Sequence, residues 1–142
     1  MKLCGIELKG NEAVLAVLEN TGEGPKHLDL PPRKIALGDS DKASEIVAFQ
    51  NKIVEFFQAN SISKIIIKKR AKKGKFAGGP DTFKMEALIQ ITTQFVPGLE
   101  VFLVTPQALA AMEKKNDIGM PVTLNKYQHV AYLSGVYGFL HS

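Results

Sequence analysis

Eight basic residues crowd the stretch from Lys64 to Lys84: Lys64, Lys68, Lys69, Arg70, Lys72, Lys73, Lys75 and Lys84, with Asp81 the only acid among them. That stretch is net +7 in a chain of 142 residues whose total is +4, so everything outside it sums to −3. Uncompensated like charge repels itself and weakens the compact state, and a polyanion that neutralises it is a natural reason to keep it. The chemistry expected of Lys68, Lys69, Arg70, Lys72, Lys73, Lys75 and Lys84 is therefore grip on phosphates. Gly74, Gly78 and Gly79 allow backbone N–H groups close to an anion. Phe76, set among the lysines, is available to stack on an exposed base, a contact worth about 1–3 kcal/mol. Such contacts hold the backbone without reading bases, so binding should be salt-sensitive and largely indifferent to sequence. The plainer alternative is a solvated charge run. Runs of that kind interleave both signs, whereas no residue from 56 to 80 is acidic.

Other chemistries find little footing. The single cysteine, Cys4, excludes an intramolecular disulfide and a zinc site built on paired thiolates, and it fits a reducing cytosol. His27, His129 and His141 are scattered, and no Ser-His-Asp or Cys-His spacing stands out. The glycines match neither the phosphate-binding loop of nucleotide hydrolases nor the dinucleotide fingerprint. No apolar run approaches the roughly 20 residues of a membrane span, and the chain enters a strand-like pattern at once, without a signal-peptide profile. With 45% hydrophobic and 23% charged residues, the expectation is one cytoplasmic globular domain over 1–142 that engages no membrane.

The elements that must position these residues follow from local pattern. Leu3 to Leu8 and Ala13 to Leu18 read as a hairpin around Gly10-Asn11. His27 to Leu30 and Lys34 to Leu37 read as a third strand, broken at Pro31-Pro32 and so at an edge. Asp39-Ser40-Asp41 offers caps for a helix running to Asn60, with Ile46, Phe49, Ile53, Phe56 and Phe57 as its buried stripe. Ser63 to Lys68 is a short buried strand. A second helix starts at Pro80-Asp81-Thr82, with Met85, Leu88, Ile89, Thr92 and Phe95 inward, and Pro97-Gly98 ends it. Leu99 to Val104 is another strand. Thr105-Pro106 caps a short helix reaching Met112, and Asn125 to Leu140 forms a last helix whose Ala131, Ser134, Gly135 and Gly138 permit close packing.

Three antiparallel strands followed by alternating helices and parallel strands make an order similar to the ribonuclease H-like superfamily. The opening Lys2-Leu3-Cys4-Gly5-Ile6-Glu7-Leu8-Lys9-Gly10 resembles the strand, acidic residue and glycine turn that begin the RuvC-type Holliday-junction resolvases. Leu103-Val104-Thr105-Pro106, running into a helix, looks like the same branch. The resemblance implies an α/β fold with a mixed five-stranded sheet, three strands antiparallel and then two parallel, flanked by helices. It also implies a small bacterial family and a nucleic-acid-binding function. Active members cleave phosphodiesters with two metal ions held by converging carboxylates. On that pattern Glu7 and Glu86 become the catalytic carboxylates, and Glu7, Glu86 and His129 the ligands of Mg²⁺ or Mn²⁺. The plain readings are a polar residue on an outer strand for Glu7, a solvating helix flank for Glu86 and a structural hydrogen bond for His129. The chain departs from the pattern where the fourth strand ends in Lys68-Lys69-Arg70, and where the last helix opens with Asn125, Lys126, Tyr127, Gln128 and His129. Cations where carboxylates should converge favour a second expectation, a non-catalytic protein-binding or scaffold module of the same fold, assembled as a homodimer.

Overall fold

Gly10, at φ +56°, turns the first strand β1 (Lys2–Lys9) back onto β2 (Glu12–Thr21). The computed structural model describes residues 1–70 and 79–141. Along the chain follow β3 (Gly24–Leu28), β4 (Lys34–Ala36), α1 (Ala43–Ala59), β5 (Ile62–Lys68), α2 (Pro80–Gln90), β6 (Glu100–Val104), α3 (Pro106–Lys115) and α4 (His129–Leu140). Short 3₁₀ turns at Ile91–Gln94 and Lys126–Gln128 extend α2 and introduce α4.

The sheet order is β3-β2-β1-β5-β6, with β4 also paired to β2. β1 is antiparallel to β2, parallel to β5, and β5 is parallel to β6. This is the mixed sheet expected. β3 lies along Val17–Thr21 and β4 along Glu12–Val14, so both halves of the broken third strand occupy one edge of β2 and six strands fill five positions. The cis Pro31-Pro32 bond falls between the halves. Leu15 sits at the break, and neither half can pair with it. Its N–H instead donates to the Arg33 carbonyl at 2.9 Å, and its carbonyl accepts from Gln128 Nε2 at 2.8 Å.

Two layers of helix close the faces. α1 and α2 cover Cys4, Ile6 and Leu8, with Phe49, Ile53, Phe56, Phe57, Met85 and Ile89 filling the space. α3 and α4 cover Leu3, Val14, Ala16 and Ile66. α4 comes so near β1 that a methyl group on Gly5 would collide with the Ala131 carbonyl oxygen and the Gly135 amide, while Gly138 lies over Ile66 and Leu3. α4 therefore runs antiparallel to β1, and its first turn lies toward the end of β1 that carries Glu7.

Three local expectations change. β1 is central rather than outer, because β5 pairs along its other side. α1 starts at Ala43 after Lys42, and Asp39 instead accepts the Asp41 amide in the preceding turn at 3.0 Å. The α2 stripe stops short of Phe95, which is 53% exposed, and Val96 is buried after it. The 3₁₀ turn causes this, since it advances about 120° per residue against the α-helix's 100° and carries Phe95 off the inward face.

Candidate nucleic-acid interface beside a buried carboxylate

The parallel ladder between β1 and β5 aligns Cys4 with Ile65, Gly5 with Ile66 and, as its last pair, Ile6 with Ile67; carried on by one position, that register puts Glu7 next to Lys68. Side chains alternate along a strand, so Glu7 shares the α4-facing side with Leu3 and Gly5, and Lys68 shares it with Ile66. Val14 opposes Glu7 across β2, and Val104 pairs with Lys68 across β6. One row of the sheet thus reads Val14, Glu7, Lys68, Val104. Glu7 is only 7% exposed, which its central strand explains.

Beyond this row the chain leaves the sheet through cations. Lys68, Lys69 and Arg70 are each half-buried. Lys69 N–H donates to the Val104 carbonyl at 2.8 Å, prolonging the contact with β6 by one residue and fixing where the basic segment departs. Among the described residues, none of the three forms a salt bridge and Arg70 Nε is buried without a hydrogen-bond partner. Lys72, Lys73, Lys75 and Phe76 lie outside the described residues.

Lys84 differs from the rest of the basic set. Its Nζ donates to the Ser40 carbonyl at 2.9 Å and lies 3.4 Å from Ser40 Oγ and 3.7 Å from Asp41 Oδ1. Ser40 Oγ in turn donates to Asp81 Oδ1 at 2.6 Å. This cluster fastens the start of α1 to the start of α2, the point at which the basic segment rejoins the fold.

Glu7, Glu86 and His129 are not gathered into a metal site. α2 packs on the Cys4, Ile6 and Leu8 face, so Glu86 belongs to the layer opposite the one that Glu7 faces. His129 is half-buried at the first position of α4. Among the described residues, no group of three or more His, Cys, Asp or Glu side chains is placed to hold a metal ion. Asn125 and Gln128, on the segment where aspartates were expected, are engaged elsewhere. Asn125 N–H donates to Gln128 Oε1 at 3.0 Å in a capping box, and Gln128 Nε2 holds Leu15. The donor set does not fit the divalent ions that the resemblance implies, since two such ions need several anionic oxygens between and around them.

Two other titratable groups are structural. Cys4 is fully buried, and that burial pushes its thiol up to about 12. His27, on β3, hydrogen-bonds through Nδ1 to Thr123 Oγ1 at 2.7 Å and stands edge-on to Tyr132, and burial holds its pKa below the ordinary value. Sequence reading missed the roles of Gln128, Ser40 and Asp81. The Asn125-x-x-Gln128 spacing before an apolar run was the available signal for the first, being a capping-box pattern.

A family model described as a protein of unknown function (DUF3010) matches residues 1–137. The chain belongs to this family. Curated proteins give no match. The fold is that of the RuvC-type resolvases. Thermus thermophilus RuvC is 13% identical with a TM-score of 0.67, the match covering 99% of this chain and 95% of that one. T. thermophilus RuvC in complex with Holliday junction substrate is 10% identical with a TM-score of 0.71, covering 99% and 94%. The fowlpox virus Holliday junction resolvase is 14% identical with a TM-score of 0.54, covering 99% and 95%. Identities this low carry the fold alone. Among the described residues, no helix of this DUF3010 chain is long and apolar enough to cross a membrane.

Proposed function

We propose that this domain binds the phosphate backbone of nucleic acid, branched DNA included, through the basic segment that leaves β5. The observation that carries the reading is the run Lys68, Lys69, Arg70 at the end of a central parallel strand, with no salt bridge to any of the three among the described residues. In this reading they set the register of the backbone at the end of the sheet. Lys72, Lys73 and Lys75 extend the grip, and Phe76 stacks on an unpaired base. Lys84 acts one step removed, by fixing where the segment rejoins α2. Similarity in fold to a RuvC solved with Holliday junction substrate supports a branched ligand. A homodimer would present two such segments to the arms of one junction, and a reducing cytoplasm suits a chain whose one thiol is fully buried.

The reading stops at binding. Metal-dependent phosphodiester cleavage by Glu7 and Glu86, with His129 as a further ligand, would need those groups together, and the donor set is not assembled. The test is fluorescence anisotropy with a labelled four-way DNA junction. Lys72→Glu combined with Lys73→Glu should weaken binding at least about tenfold, because it removes two phosphate contacts and adds repulsion. Reversing Lys114 and Lys115, at the far end of α3, should change it little. Equal loss from both pairs would reduce the effect to net charge. Indifference to the junction would leave the protein-binding scaffold of the same fold.

A further inference from the structure

We propose that Lys68 stands where a second carboxylate would have to stand for a divalent ion to bind beside Glu7, so that this end of the sheet excludes Mg²⁺ and Mn²⁺ and meets phosphate with an ammonium. The inference deepens the binding reading above and rests on it for the identity of the anion. Its own ground is the register. Carried on one position past its last pair, Ile6 and Ile67, the β1–β5 ladder makes Glu7 and Lys68 neighbours on the same face, where adjacent strands lie about 4.8 Å apart. Two carboxylates at such a pair can share one Mg²⁺ with oxygen ligands at about 2.0–2.1 Å. With lysine at one position, the ion loses a ligand and faces a like charge at the same point.

Among the described residues no replacement set is assembled, His129 at the start of α4 included. Val14 and Val104 flank the pair in its row. Gln128, on the turn that leads into α4, is committed to Leu15, and Asn125 to the capping box. Glu86 is on the layer beneath the other face. Among the described residues a single buried carboxylate therefore remains in this row, with a lysine as its neighbour by register and no ion pair between the two.

Binding of Mn²⁺ alone, followed by electron paramagnetic resonance, tests this. The wild-type protein should leave Mn²⁺ free in solution. Lys68→Glu should gain affinity of at least about tenfold, the scale on which single residues at a metal site alter affinity, and adding Glu7→Gln should abolish the gain. Thermal melting confirms that each variant folds. If Lys68→Glu does not fold, Lys68→Gln, which removes the repulsion and offers an amide oxygen, should show a smaller gain of the same kind. One Mn²⁺ bound by the wild type and lost in Glu7→Gln would overturn the proposal. So would folded Lys68 variants that bind no better than the wild type. Junction binding measured in EDTA reports separately on the nucleic-acid reading, which can fail while the metal comparison stands.

Discussion

Burial favours the neutral form of the His27 imidazole, which has Nδ1 on Thr123 Oγ1 and Nε2 without a hydrogen-bond partner among the described residues. Desolvation lowers its pKa in the fold, opposed in part by the Asp29 carboxylate. The unfolded chain titrates near 6.5, so between the two values the unfolded state binds more protons. Its contribution is present in full above pH 6.5 and is lost as the pH falls through the lower folded value. Urea unfolding of the wild type should therefore weaken from pH 7 to pH 5 more steeply than that of His27→Asn, and parallel curves would contradict the assignment. Cys4 makes a second residue-level prediction. A thiol pushed up to about 12 and fully buried should resist alkylation at pH 8 in the native protein and react completely in denaturant.

At the scale of elements, the broken third strand depends on Gln128. Replacing it with Leu leaves the Leu15 carbonyl without its donor, and a buried unsatisfied group costs about 1–3 kcal/mol. Thr105→Ala removes the hydroxyl that accepts the Ala108 amide at 3.1 Å and should cost about 1 kcal/mol. Chemical denaturation measures both, and a Gln128 variant within error of wild type would show that water replaces the side chain. These two residues also mark what could be read from sequence. Thr105-Pro106 announces its helix because cap and proline act on adjacent backbone, and the hairpin about Gly10 and the α1 stripe are legible for the same local reason. Gln128 reaches 113 residues back in the chain, and no local pattern reports that. Glu7 was legible as an acid on the first strand, but its burial depends on β5 pairing with β1 across 60 residues of sequence. Phe95 was misplaced because a change of helical pitch cannot be seen in a periodicity.

Taken whole, the molecule is a faintly acidic body around a RuvC-like sheet, with its positive charge gathered where the chain leaves the central parallel strands. Long-range attraction of a polyanion to one end of the fold follows from that placement rather than from the total of +4. The most direct test is the affinity of the wild-type protein for a four-way DNA junction, in EDTA, across a salt series starting near 50 mM. If Lys68, Lys69, Arg70, Lys72, Lys73 and Lys75 all meet phosphates, the logarithm of the binding constant should fall linearly against the logarithm of salt with a slope of about −5. A flat dependence, or no binding at the lowest salt, would contradict the assignment of this segment to nucleic acid.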